Sequence, residues 1–218
     1  MFDLSPLQNI AVWTLPVLFA ITLHEAAHGW VAKQLGDPTA QMLGRLTLNP
    51  LKHIDPIGTV IVPLIMVTLT SFVFGWAKPV PVTWENLRQP KRDMALVALA
   101  GPGANLLMLI FWVLVIFLAA FSANALGAVA AQFMVYMGYA GIFINLVLML
   151  LNMLPIPPLD GSRVMSSVLP NHLAWQYNRI EPYGFIILLV LLFTGVLGQI
   201  LLPPIDFSMR WLDSLLFR

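Results

Sequence analysis

The stretch His24-Glu25-Ala26-Ala27-His28 sets two imidazoles four residues apart, with a carboxylate between them. On an α-helix, side chains at i and i+4 share a face, so both rings can reach one metal ion. Glu25 is rotated off that face, placed to take a proton from a metal-bound water rather than to ligate. Zinc suits imidazole donors and needs no redox chemistry. It lowers the pKa of water from 15.7 to about 7. The chemistry these residues predict is hydrolysis by an activated water.

Two histidines leave a catalytic zinc one protein ligand short. The chain has no cysteine, so the donors must be nitrogen and oxygen. His53, Asp55, Glu85, Asp160 and His172 are the candidates. Asp160 differs from the others in closing Asn152-Met153-Leu154-Pro155-Ile156-Pro157-Pro158-Leu159-Asp160-Gly161. The prolines break a helix and Gly161 permits a turn. At membrane depth, unwound backbone is tolerated only beside a cavity or within protein. The alternative is that Asp160 caps the next helix, with Ser162 and Arg163 at the water boundary. The residues alone leave both readings open.

These groups must be held by elements suited to lipid. Of 218 residues, 59% are apolar and only 10% are charged, where a soluble domain carries about 25% charged residues. Mean hydropathy is +0.85, and the net charge of +1 offers no basic footprint for nucleic acid. The N-terminal residues before Ile10 contain no Lys or Arg, so the first apolar run reads as part of the mature chain rather than a signal peptide.

An apolar helix needs roughly 20 residues to span a bilayer. Four stretches qualify: Ile10–Lys33, Met94–Phe121, Ala128–Leu154 and Gly184–Leu202, the last ended by Pro203-Pro204. Phe207, Trp211, Leu212, Leu215 and Leu216 then recur at helical spacing, which predicts a short interfacial helix. His24, Glu25 and His28 fall inside the first span, where ionisable groups are costly and are kept mainly for function. No Lys or Arg between Ile10 and Val31 is available to pair with them.

Between the first two spans, Arg45–Leu48 and Pro79–Thr83 read as short strands, the second confined to a sheet edge by its prolines. Ile57–Gly75 is apolar but carries Gly58 and Pro63. If it re-enters, nine of the eleven Lys and Arg share one side; if it spans, the split is six to five. The positive-inside rule favours the lopsided arrangement, with the cluster in the cytosol. The expected fold is an all-α polytopic membrane protein: about four transmembrane helices, a re-entrant segment and a small membrane-associated β-element. It forms one domain over residues 1–218, with a core at about 10–165 and a C-terminal span and interfacial helix at 184–218.

The HEAAH run, Gly101-Pro102-Gly103-Ala104-Asn105 in the next span, and Asn152, Pro155 and Leu159-Asp160-Gly161 at the end of the third resemble the site-2 protease family. Their order and spacing match that family's membrane core over roughly residues 10–165. Arg45–Pro56 and Gly75–Val82 resemble its small PDZ-less prokaryotic members. The resemblance implies that His24, His28 and Asp160 hold one catalytic zinc, that Glu25 is the general base, and that Asn152 lies beside the site. It also favours the re-entrant reading, because the HExxH and LDG helices then run in the same direction.

Asn152 is a candidate donor to the developing oxyanion, and His53 a candidate for contacting substrate or assisting the transition state. Asn105, beside two glycines, is expected to serve close packing. A helical substrate must unwind before hydrolysis because its carbonyls are already hydrogen-bonded. Val80 and Val82, on the predicted edge, are candidates for holding the opened chain as an added strand. The implied activity is intramembrane zinc metalloendopeptidase, acting on transmembrane proteins in the cell membrane from the cytosolic side. A transporter or scaffold is the competing class, but no internal repeat supports it, and Glu25 stands between the histidines.

Overall fold

The computed structural model describes residues 4–62, 75 and 77–216. Ser5 opens α1 (Pro6–Gln34) with a capping box: its hydroxyl accepts from the Gln8 N–H, and the Gln8 side chain accepts from the Ser5 N–H. Along α1, Val12, Pro16, Ala20, His24, His28 and Ala32 are buried. That i, i+4 stripe carries both imidazoles inward on the face that packs against α2 (Pro90–Phe121). The α2 helix starts where Asp93 accepts from the Gln89 N–H at 2.8 Å.

The third long helix, α3 (Ala128–Asn152), lies against both α2 and α1. Burying apolar surface gives no driving force between helices in lipid, so close van der Waals approach matters. It is achieved at Gly138, which faces Ile116, and at Gly141, which lies on the Trp112 indole; a Cβ at either would collide. These three helices are each long and apolar enough to cross a membrane.

After α3 the chain turns through a cis Pro157–Pro158 bond into α4 (Asp160–Val168), which packs on α2. Gly161 sits directly on the Met153 and Leu154 carbonyls, so only a residue without a Cβ lets α4 begin there. Beyond lie α5 (Asn171–Asn178), α6 (Gly184–Phe193) and α7 (Val196–Leu216).

Three expectations are corrected here. The fourth span is not a straight helix ended by Pro203-Pro204. It breaks at Gly195, whose φ of +77° is left-handed, and the helical stretches Asn171–Phe193 and Val196–Leu216 bend by 73° at that break. The α7 helix then runs through Pro203 and Pro204, because proline's fixed φ is helical and only two backbone bonds are lost. The expected interfacial helix is the far half of α7. Leu212 is buried there with Trp112, Ile116 and Ile142, while Phe207 and Trp211 stay exposed on the other face.

The β-element does not form: among the described residues there is no strand. Pro79 and Pro81 have no N–H to give a ladder, and the Val80 N–H is used elsewhere. Arg45 reaches across instead, donating to the Lys78 carbonyl at 3.0 Å. The re-entrant reading of Ile57–Gly75 falls largely on residues 63–74, outside the described set. Its flanks lie side by side, with the Lys78 N–H on the His53 carbonyl at 2.9 Å.

Candidate metal centre

Helix α2 shows α1 a face made by Val97, Gly101 and Asn105, again at i, i+4 spacing, and each meets a histidine. His24 Nδ1 lies 2.6 Å from Asn105 Oδ1, and His28 Nδ1 lies 2.7 Å from the Val97 carbonyl oxygen. The Asn105 amide nitrogen is turned to the Ala20 carbonyl at 3.3 Å, which leaves its oxygen toward His24. Both partners can only accept, so each Nδ1 carries a proton and each Nε2 is left as the atom that can offer a lone pair to a metal. Gly101 gives the rings room: a Cβ there would stand 2.5 Å from His24 Cε1 and 2.7 Å from its Nε2, and nearer still to His28 Nε2.

The two Nε2 atoms lie 3.1 Å apart, and each is 3.3 Å from Asp160 Oδ2. That oxygen is buried and has no hydrogen bond. Three lone-pair atoms facing one another away from water repel unless a cation lies among them. Tetrahedral coordination with bonds of about 2.0–2.1 Å puts donor atoms roughly 3.3 Å apart, and the observed triangle has that size. The residues therefore fit a small tetrahedral cation with nitrogen and oxygen donors, and among the described residues no other His, Asp or Glu group converges this way.

The rival third donors are placed elsewhere. Asp55 caps the wide turn Pro56–Ile61, accepting from Ile57 N–H and Gly58 N–H. Glu85 and His172 are exposed. His53 is buried, with Nε2 2.9 Å from the Thr47 carbonyl and Nδ1 without a partner. Asn152, the last residue of α3, donates to its own helix at Leu148 O, 2.9 Å away, and not to the triangle.

Glu25 points off the metal face, as its position on the helix requires. Its Oε2 accepts from the Val80 N–H at 2.7 Å. The one N–H that an added strand would use between Pro79 and Pro81 is thus committed to the carboxylate. Val82 packs beside Ala32, Leu87 and Val97.

This segment is anchored by Asp37, just past the end of α1 and fully buried. Asp37 accepts from Thr83 N–H at 2.7 Å, Asn86 Nδ2 at 3.0 Å, Thr39 N–H at 3.1 Å and the Thr39 hydroxyl. Burial pushes its carboxyl up, but the bonds from Thr39, Asn86 and Thr83 outweigh that and hold it below the ordinary aspartate value. Asp37, Asn105 and the Val97 carbonyl were not legible as supports; a polar residue beside two glycines in an apolar span was the only signal, and it pointed to Asn105.

Apolar helices long enough to cross a membrane, two buried histidines converging with a half-buried aspartate, and a separate carboxylate beside them define the class of membrane metallohydrolases. Comparison with known proteins makes the class specific. The model of Peptidase family M50 matches residues 119–195, a stretch that includes Asp160. A protein of Bacillus subtilis named "Putative zinc metalloprotease YwhC" is 38% identical over 92% of this chain and 89% of its own length. One of Mycolicibacterium smegmatis named "Putative zinc metalloprotease Rip2" is 31% identical over 90% of this chain and 73% of its own. No solved structure matches. The chain belongs to Peptidase family M50 and is a multi-pass membrane peptidase.

Proposed function

We propose that the chain is an intramembrane zinc metalloendopeptidase, hydrolysing peptide bonds within or near transmembrane segments of other membrane proteins. The observation that carries this is the convergence of His24 Nε2, His28 Nε2 and Asp160 Oδ2, with Glu25 adjacent, the histidines and Glu25 standing on a helix long and apolar enough to cross a membrane. The zinc named in the relatives fits these donors. Bound zinc supplies Lewis acidity that makes water nucleophilic near neutral pH.

Glu25 takes the proton of the attacking water and returns it to the leaving amide nitrogen, and the Val80 N–H aims the carboxylate for both transfers. Asn105 and the Val97 carbonyl fix the tautomers of the two histidines. With residues 57–75 re-entering, the nine-to-two charge asymmetry supports a site toward the cytosol of the cell membrane.

The test compares wild type with Glu25→Gln on a panel of single-span membrane proteins. A target that accumulates uncleaved only with the variant, while both proteins carry zinc, is the expected result. Equal cleavage by both would remove Glu25 as the base.

A further inference from the structure

Asn145 is hydrogen-bonded to Asn105 and to Gly141 rather than to Asp160 or a histidine of the triangle, yet it helps to fix which way the site's hydrogen bonds run. It is fully buried in α3, as is Asn105 in α2. Asn145 Nδ2 donates to the Gly141 carbonyl at 2.8 Å. A backbone carbonyl cannot donate, so the amide has one orientation, and Oδ1 faces Asn105 Nδ2 at 2.9 Å. Asn105 is oriented in turn, with Oδ1 toward His24 Nδ1 at 2.6 Å. At Asn105 the Ala20 carbonyl, 3.3 Å from the same Nδ2, favours the same orientation, so the direction of the chain from Gly141 to His24 is set by Asn145 and Ala20 together, with Asn145 the shorter contact.

The glycine at 141 makes this reach possible. It lets the Trp112 indole lie on the α3 backbone and brings the two helices close. Were the Asn105 amide reversed, its NH2 would face His24 Nδ1. The ring would then have to carry its proton on Nε2, where it cannot bind a metal.

We infer that Asn145 is a positioning residue of the metal centre: through Asn105 it holds His24 in the tautomer that offers Nε2 to the cation. This rests on the ligand assignment proposed above. A residue serving only to tie α2 to α3 would affect stability and leave metal affinity unchanged.

The experiment uses full-length protein in detergent, with zinc affinity from chelator competition and the visible spectrum of bound Co2+. Asn145→Leu should bind zinc about tenfold more weakly and shift the cobalt bands. Asn145→Ser should recover part of the loss, because a hydroxyl can bond the carbonyl four residues back and still accept. In Asn105→Asp, either carboxylate oxygen accepts from His24, so adding Asn145→Leu should weaken binding no further.

Wild-type affinity and spectrum in Asn145→Leu would overturn the inference, as would the same tenfold loss in the Asn105→Asp background. Should Asn145→Leu fail to fold, Asn145→Ser in both backgrounds supports the same comparison, with a loss confined to Asn105 protein expected. His24→Ala is the control. If it keeps zinc, the ligand assignment itself fails; if it loses zinc while Asn145→Leu does not, only the positioning role fails.

Discussion

Gly101→Ala tests whether the three converging side chains form a metal site. The added Cβ would lie 2.7 Å from His24 Nε2, where ordinary contact begins near 3.4 Å. The nearest atom of that ring, Cε1, would lie at 2.5 Å, so the ring must withdraw by about 0.9 Å, more than four times the ~0.2 Å latitude of a metal bond. It cannot turn aside freely, because Nδ1 is tied to Asn105, and the His28 ring is tied to Val97. If the rings hold, α2 must back away from α1, and overpacking of this kind costs about 1–3 kcal/mol.

The expected result is a loss of zinc affinity of at least ~10–100-fold, the usual effect of disturbing a ligand's support, together with loss of proteolysis. Gly103→Ala is the matched control. It lies two residues on in the same helix, with nothing within 4 Å of its would-be Cβ, and should behave as wild type. The assays are metal content after dialysis and cleavage of a membrane substrate. Full zinc occupancy with normal turnover in Gly101→Ala would refute the reasoning.

Asp160→Ala should weaken zinc binding sharply, and a fully loaded variant would strike Asp160 from the ligand set. Val80→Pro removes the N–H that Glu25 accepts; turnover should fall while zinc content holds, and unchanged turnover would show that the base does not need that donor. Asp37 carries a pH signature. Its carboxyl is lowered in the folded chain, so its stabilisation is complete above the unfolded value of about 3.9 and is lost as pH falls through the folded one. Asp37→Asn should cost about 2 kcal/mol near neutrality, on the scale of a hydrogen bond to a charged group. It should also flatten the acid limb of the melting curve; an acid limb as steep as that of wild type would contradict this.

Much of the site was legible because its chemistry is written at helical spacing. His24 and His28 share a face for a reason that needs no tertiary knowledge, and Asp160 stands out against a helix broken by prolines. Their supports were hidden for an equally physical reason. The Val97 carbonyl belongs to the backbone and has no residue code, and Asn105 looks like a packing residue until its partner across the bundle is known. Val80 was read, from the strand character of Pro79–Thr83, as an edge for substrate, but its amide is spent on Glu25. The shape of the fourth span was missed for another reason: Gly195 inside an apolar run gives no hydropathy signal, so the bend went unseen and the prolines were taken for the stop.

The candidate metal triangle and the Glu25 carboxylate are braced by different residues. Asn105 and Val97 steady the imidazoles from α2, whereas Glu25 leans on Val80, in a segment that Asp37 fastens to the end of α1. The two supports meet at α1, and at Val97 of α2, which holds His28 through its carbonyl and packs beside Val82 of the segment that braces Glu25. Damage to the two sides therefore leaves different residues of activity to look for: one class of variant is empty, the other loaded and idle. A metal assay, with no substrate in hand, is enough to sort an inactive protein into one class or the other.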